Sequence, residues 1–200
     1  MNAFSETVVI SDTAPLINLA KAGRLDILPS LYDSIIVPES VMKEMERGPE
    51  NSAAEARLVR QSEGFNILSA KNPARIDEIQ SSDNLGRGES EALALAEEYG
   101  MALIITDDAD AKKVASERFS AMGTVGVVKE AFMRGVINKS ELLSIADILE
   151  RNRWIRSDLI QYLRNTVTIR TENKTAATSI LEKSVTNTRS PSELPERNRF

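Results

Sequence analysis

Short apolar runs alternate along the chain with longer amphipathic stretches. Residues 7–11 (TVVIS), 34–37 (SIIV) and 101–106 (MALIIT) are apolar almost throughout and rich in β-branched side chains. Solid runs of that length predict strands buried on both faces, as in a parallel sheet. Residues 65–68 predict a further short strand. Helical spacing appears at 14–22, with Leu16, Ile17, Leu19 and Ala20 on one stripe, and at 25–31. It returns from Pro38 onward, with Val41, Met42 and Met45, and again at 52–62. Residues 89–99 place Ala92, Leu93, Leu95 and Ala96 on one face, and 109–118, 127–133, 139–151 and 157–164 complete the set. Gly23 and Gly100 suit helix ends, while 123–126 reads as a glycine-punctuated connection. Strands alternating with helices predict an α/β fold, its mainly parallel sheet covered on both faces and followed by extra C-terminal helices. In such sheets the functional edge lies beyond the carboxyl ends of the strands.

Composition changes this picture at two points. The chain of 200 residues has no cysteine and no histidine. Disulfides, thiolate nucleophiles, Ser-His-Asp triads and zinc–thiolate sites are thereby excluded, leaving carboxylates, hydroxyls, Lys, Arg, Tyr or a bound hard cation for any chemistry. Beyond about Arg170, Ser, Thr, Asn, Glu and Arg dominate, so residues 1–168 are read as the folded domain and 169–200 as a polar, disordered tail. The net charge of −5 does not resemble an indiscriminate nucleic-acid binder, although a local basic rim can outweigh the total. No apolar run is long enough for a membrane span, and the opening residues lack a signal-peptide pattern, so a cytoplasmic location without membrane association is expected.

Two of the strands end in carboxylates: Asp12 after TVVIS, and Asp107-Asp108 after MALIIT. If the strands are parallel neighbours, these acids meet. Clustered carboxylates resist ionisation unless a cation offsets them, and an oxygen-only donor set suits Mg²⁺ or Mn²⁺. The competing reading is that each Asp caps the helix it precedes, a role compatible with the first. Glu44 alone reads as a solvated helix residue, and Glu89 as an acid offsetting a helix dipole.

The ordered pattern resembles the PIN-domain superfamily, which includes the VapC-like toxins of bacterial toxin–antitoxin pairs, and in particular a branch of uncharacterised PIN-like proteins. VVISDTAPLINLAKAGRLDILPSLYDSIIVPESVMKEM, GRGESEALALAEEYGMALIITDDADAKKVA and GTVGVVKEAFMRGVINKSELLSIADILERNRWIRSDLIQYL carry the resemblance, over about residues 7–165. It implies a PIN-like three-layer α/β/α fold with Asp12, Glu44, Glu89 and Asp108 as the catalytic acids. Of these, Asp12, Glu89 and Asp108 would be metal ligands. Family members often carry Asp where this chain has Glu89. Asp107 competes with Asp108, Glu91 competes with Glu89, and Asp110 is a more distant choice. Thr13 and Thr106 are candidates for orienting a water or a carboxylate. The implied activity is cleavage of single-stranded RNA by a water that Mg²⁺ or Mn²⁺ activates. Dimers and inhibition by a small antitoxin protein are implied with it.

Arg87, Lys112, Lys113 and Arg118 flank the expected edge and are candidates for RNA phosphates, against the plainer reading of a solvated helix face. Residues 151–156 interleave Trp154 with arginines, which suits either stacking on RNA or anchoring of the last helices. The apolar faces at 127–133 and 142–149 suit core or a homodimer surface. A non-catalytic PIN-like module binding nucleic acid or protein is the alternative function. Phosphatases of the haloacid-dehalogenase type want Asp-x-Asp after the first strand, where this chain has Asp12-Thr13-Ala14. Toprim-like nucleases want Glu in the place of Asp12, and a receiver domain fits no better.

Overall fold

The structure is a computed structural model and describes residues 7–48, 50–153 and 155–167. Trp154 and the expected tail at 169–200 lie outside the described residues. Two compact units divide the chain, one to Arg164 and one from Asn165, and the sheet belongs to the first.

Five strands form a single parallel sheet in the order β3-β2-β1-β4-β5: β1 Val8–Ser11, β2 Ile35–Pro38, β3 Phe65–Leu68, β4 Ala102–Ile105 and β5 Ser120–Met122. β1 lies at the centre, with Val9 opposite Ile35 on one side and Leu103 on the other. The direction of strand addition reverses there, so the crevice at the carboxyl ends of β1 and β4 is the place where an open α/β sheet puts its ligands.

The helices are α1 Thr13–Lys21, α2 Ile27–Tyr32, α3 Glu39–Arg47, α4 Glu50–Gln61, α5 Pro73–Asp83, α6 Arg87–Tyr99, α7 Ala109–Ser116, α8 Thr124–Arg134 and α9 Lys139–Arg151, with a further helix at 157–167. Helices of the first unit cover both faces of the sheet in a three-layer α/β/α arrangement. On one face α6 lies across β1, β2 and β4. Leu93, Ala96, Ile79 and Ile76 pack there with Ile10, Ile36 and Ile104. On the other, α8 meets α1, α2 and α9. Each fully buried aliphatic side chain of this kind contributes roughly 2 kcal/mol through loss of apolar contact with water.

Two elements depart from the expectation. The connection read at 123–126 is preceded by an edge strand, β5, whose three residues pair with Leu103, Ile104 and Ile105. Ser120 is exposed and the other two are half-buried, so no solid apolar run marks it. Helix α5 was not foreseen: Pro73 opens it, the Asn72 side chain accepts from the Arg75 amide, and among its inner residues only Ile76 and Ile79 are buried hydrophobics. The apolar faces of α8 and α9 belong to the core. Val127, Val128, Ala131 and Phe132 are buried, as are Leu142, Ile145, Ala146 and Leu149. No helix among the described residues is long and apolar enough to cross a membrane.

Candidate active site

The pairing of Ser11 with Ile105 brings Asp12 and Thr106 level at the carboxyl edge. Asp12 occupies the N-cap position of α1, yet its side chain makes no capping bond there. Only 5% of the residue is exposed, and its Oδ2 accepts from the Thr106 hydroxyl at 3.1 Å. The Thr106 oxygen in turn accepts from the Asp108 amide at 3.2 Å. One hydroxyl therefore ties the acid after β1 to the turn after β4.

Asp107 and Asp108 point to different tasks. Asp107 takes the Thr124 amide at 2.8 Å, the Thr124 hydroxyl at 2.5 Å and the Asn18 amide at 3.0 Å. Its N-cap glycine gives α8 no side-chain cap, so Asp107 supplies one and clamps α1 and α8 to β4. Asp108 caps α7 through Oδ1 alone, accepting from Asp110 and Ala111 at 2.9 and 2.8 Å. The capping reading thus holds for Asp108, and it leaves Oδ2 without a hydrogen bond among the described residues.

Glu44 reaches the same edge from α3. Its Oε2 accepts from the Thr13 hydroxyl at 3.1 Å, and its Oε1 from the Gly88 amide at 2.9 Å. A Cβ at position 88 would stand 2.8 Å from Glu44 Oε2 and 3.0 Å from Val41 Cγ2, so the close approach requires glycine. Glu89, in the first turn of α6, accepts from the Gly86 amide at 2.7 Å.

These acids act on one another. Burial is the largest cause pushing the Asp12 carboxyl up, to about 7; repulsion from Glu89 and Glu44 adds to it, while hydrogen bonds from the Thr13 backbone and the Thr106 side chain pull the other way. Glu89 is likewise pushed up, first by burial and then by Asp108, Glu44 and Asp110, against its bond from Gly86. None of Asp12, Glu44, Glu89 and Asp108 has an ion-pair partner among the described residues. As the side chains stand, no three carboxylates among the described residues are grouped closely enough to enclose a metal ion. Two of the four are held by backbone amides of the α6 N-terminus. Even so, the donor chemistry fits Mg²⁺ or Mn²⁺: the acids are all oxygen donors, mutually repelling, and one of them is deeply buried.

Glu91 turns away from this group. It is 3% exposed, and its two oxygens accept from the Ser40 amide at 2.7 Å and the Ala70 amide at 3.2 Å. Both Glu91 oxygens thus serve backbone amides away from Asp12, whereas Glu89 is among the acids that repel it. Gly86, Gly88, Asn18 and Thr124 were not foreseen as part of the arrangement. GRG at 86–88 reads only as a turn, and Asn18 and Thr124 lie 89 and 17 residues from Asp107.

Of the candidate cations, Arg87 pairs with Asp77 at 2.7 Å. The Lys112 ammonium lies beside Gly123, 2.9 Å from where a Cβ would sit, and Lys113 is exposed on α7. Arg118 does not flank this edge. It lines a depression with Thr7, Met101 and Ser120, at the amino ends of the strands, because α7 carries the chain back across the sheet before β5 begins.

A family model described as PIN domain, DUF3368, matches residues 8–168. The chain belongs to the PIN-domain family. PIN domains are generally nucleases and typically use divalent metals. A crystal structure of PAE2754 from Pyrobaculum aerophilum resembles this PIN domain with a TM-score of 0.45 and 16% identity, over 65% of this chain and 98% of that one. No curated protein matches the chain.

Proposed function

We propose that this PIN domain is an endoribonuclease that depends on Mg²⁺ or Mn²⁺ and hydrolyses phosphodiesters of single-stranded RNA. The observation that carries the reading is Asp12: a buried carboxyl pushed up to about 7, repelled by Glu89 and Glu44, with no ion-pair partner among the described residues. A divalent ion is what such a group lacks. Asp12, Glu89 and Asp108 would hold the ion, which when bound supplies a readily deprotonated water and offsets phosphate charge.

The chain's own residues supply the rest. Thr106 fixes the Asp12 carboxylate, and the Asp108 cap fixes the other side of the crevice. Glu44, held by Thr13 and Gly88, presents a carboxylate to orient an attacking water or accept its proton. Lys112 and Lys113, on the helix that leaves this edge, would meet RNA phosphates. Arg87 would first have to leave Asp77.

Family resemblance supports a cytoplasmic toxin role, with a small antitoxin protein as inhibitor and a homodimer as the assembled form. A non-catalytic PIN-like module is the second reading. What favours it is that Glu44 and Glu89 are already engaged by backbone amides. Cleavage of a pooled RNA by the wild type and Asp12→Asn, with and without Mn²⁺, separates the two. Equal rates for both proteins in Mn²⁺, or no cleavage by either alongside no Mn²⁺ binding, reject the nuclease reading.

A further inference from the structure

Glu91 is a buried carboxylate that the proposed chemistry does not use, and its two hydrogen bonds join separate parts of the fold. Its Oε2 accepts from the amide of Ser40, the second residue of α3, and its Oε1 from the amide of Ala70, beyond β3. Helix α3 has no cap of its own, because its N-cap residue, Pro38, has no side-chain acceptor. Glu91 fills that role from a different helix. Glu44 returns the service: one turn along α3 from Ser40, it accepts from the amide of Gly88, the second residue of α6 and one turn before Glu91. The N-cap residue there, Gly86, is equally without a side-chain acceptor. Two helices thus cap one another's second amide with a carboxylate, along faces that run past each other in opposite directions.

This reciprocity fixes the register of α3 against α6. Those helices carry Glu44 and Glu89. We propose that Glu91 is a positioning residue for the acidic site: by capping α3 it sets where Glu44 stands relative to Glu89, without touching metal or RNA itself. The inference rests on the metal-dependent reading above for its consequence, but not for the contact.

Glu91→Gln keeps the shape and removes the charge. One of its oxygens becomes an NH₂ group that faces a backbone N–H, so one of the two amide bonds must fail. Three measurements on the full chain test the idea. Amide hydrogen exchange without metal should show faster exchange at Ser40 and along the first turn of α3. Calorimetric titration with Mn²⁺ should show affinity reduced about tenfold, the size of effect that supporting partners of metal ligands have. Asp12→Asn should abolish the same binding.

Unchanged exchange at Ser40 overturns the contact. Faster exchange with wild-type Mn²⁺ affinity overturns the positioning role and leaves Glu91 a cap only. Loss of Mn²⁺ binding as complete as in Asp12→Asn overturns it in favour of a direct ligand. If the wild type takes no Mn²⁺, the nuclease reading fails, while the exchange result still decides the contact. If Glu91→Gln does not fold, Glu91→Asp, which keeps the charge on a shorter arm, is scored by the same three measurements.

Discussion

The Thr106 hydroxyl donates to Asp12 across 94 residues of sequence and, from the same oxygen, accepts the Asp108 amide. One oxygen atom therefore links the Asp12 carboxylate to the backbone of Asp108. Thr106→Val preserves size and removes both bonds. It should cost about 1–2 kcal/mol of stability, because the buried Asp12 loses a donor and the partly buried Asp108 amide loses its acceptor. Mn²⁺-dependent RNA cleavage should fall at least tenfold. Urea unfolding read beside cleavage rates checks both; a valine variant as active as the parent would remove Thr106 from the site.

The Asp12 contribution to metal-free stability should fall as pH rises from about 4 to about 7. Asp12 titrates near 3.8 in the unfolded chain and near 7 when folded, so between those values the folded state holds the extra proton. Stability then declines with pH across that window, and the penalty is complete above about 7. The upward displacement of Glu89 acts with the same sign. Asp12→Asn, which cannot ionise, should raise the metal-free melting temperature at pH 8 by several degrees, an advantage that shrinks toward pH 4. Thermal melts of both proteins across pH 4–8, with chelator present, decide this.

Mn²⁺ should reverse that penalty. An ion that binds only the folded protein stabilises it by RT ln(1 + [L]/Kd), about 2.7 kcal/mol at a hundredfold excess over Kd. Since it must displace the Asp12 proton below about pH 7, affinity should climb between pH 6 and pH 8 with release of protons into the buffer. Calorimetry in buffers of different ionisation enthalpy counts those protons. A flat pH dependence would detach Asp12 from metal binding.

The neighbouring acids after β4 should part company on mutation. Asp107→Asn loses charge-assisted bonds to Thr124 and puts an NH₂ group opposite a donor, so stability should drop by about 2 kcal/mol. Asp108→Asn keeps an acceptor for the α7 amides and should unfold much like the parent while losing Mn²⁺-dependent cleavage. The opposite pattern would exchange their roles.

Gly88→Ala probes the α6 N-terminus directly. The added methyl would stand 2.8 Å from one Glu44 oxygen and 3.0 Å from the other, forcing that side chain off the Gly88 amide. Alanine is the better helix former by about 1 kcal/mol, but its methyl would also press on the fully buried Val41 Cγ2 at 3.0 Å, so stability falls modestly along with cleavage. A crystal structure of the variant with Glu44 undisturbed would contradict this.

Asp12, the Asp107-Asp108 pair and the central strands were legible because each signal is local, whereas Glu44 and Glu89 entered only with the family resemblance. Val8–Ser11 and Ala102–Ile105 are buried on both faces, and a solid apolar run followed by Asp needs no partner to be noticed. Ser120–Met122 carries no such mark: an edge strand half-covered by its neighbours needs no apolar run. The division of labour between Asp107 and Asp108 could not be read either, since Thr124 and Asn18 decide it and no local spacing announces them. The same holds for Glu89 and Glu91. Both sit near the start of one helix, and only the fold shows one facing Gly86 and the other facing Ser40.

The parallel pairing of β1 with β4 also dictates when the acidic crevice can exist. Every residue from Thr13 to Met101 must be synthesised, and α6 laid across the sheet, before the last strand of the pair can slot in beside the first. A nascent or truncated chain ending before Ala102 carries three of the four acids and no crevice to hold them. Closing so long a loop is slow relative to local helix formation. Whatever cutting power resides in this edge is thus withheld from the ribosome until the chain has passed Asp108.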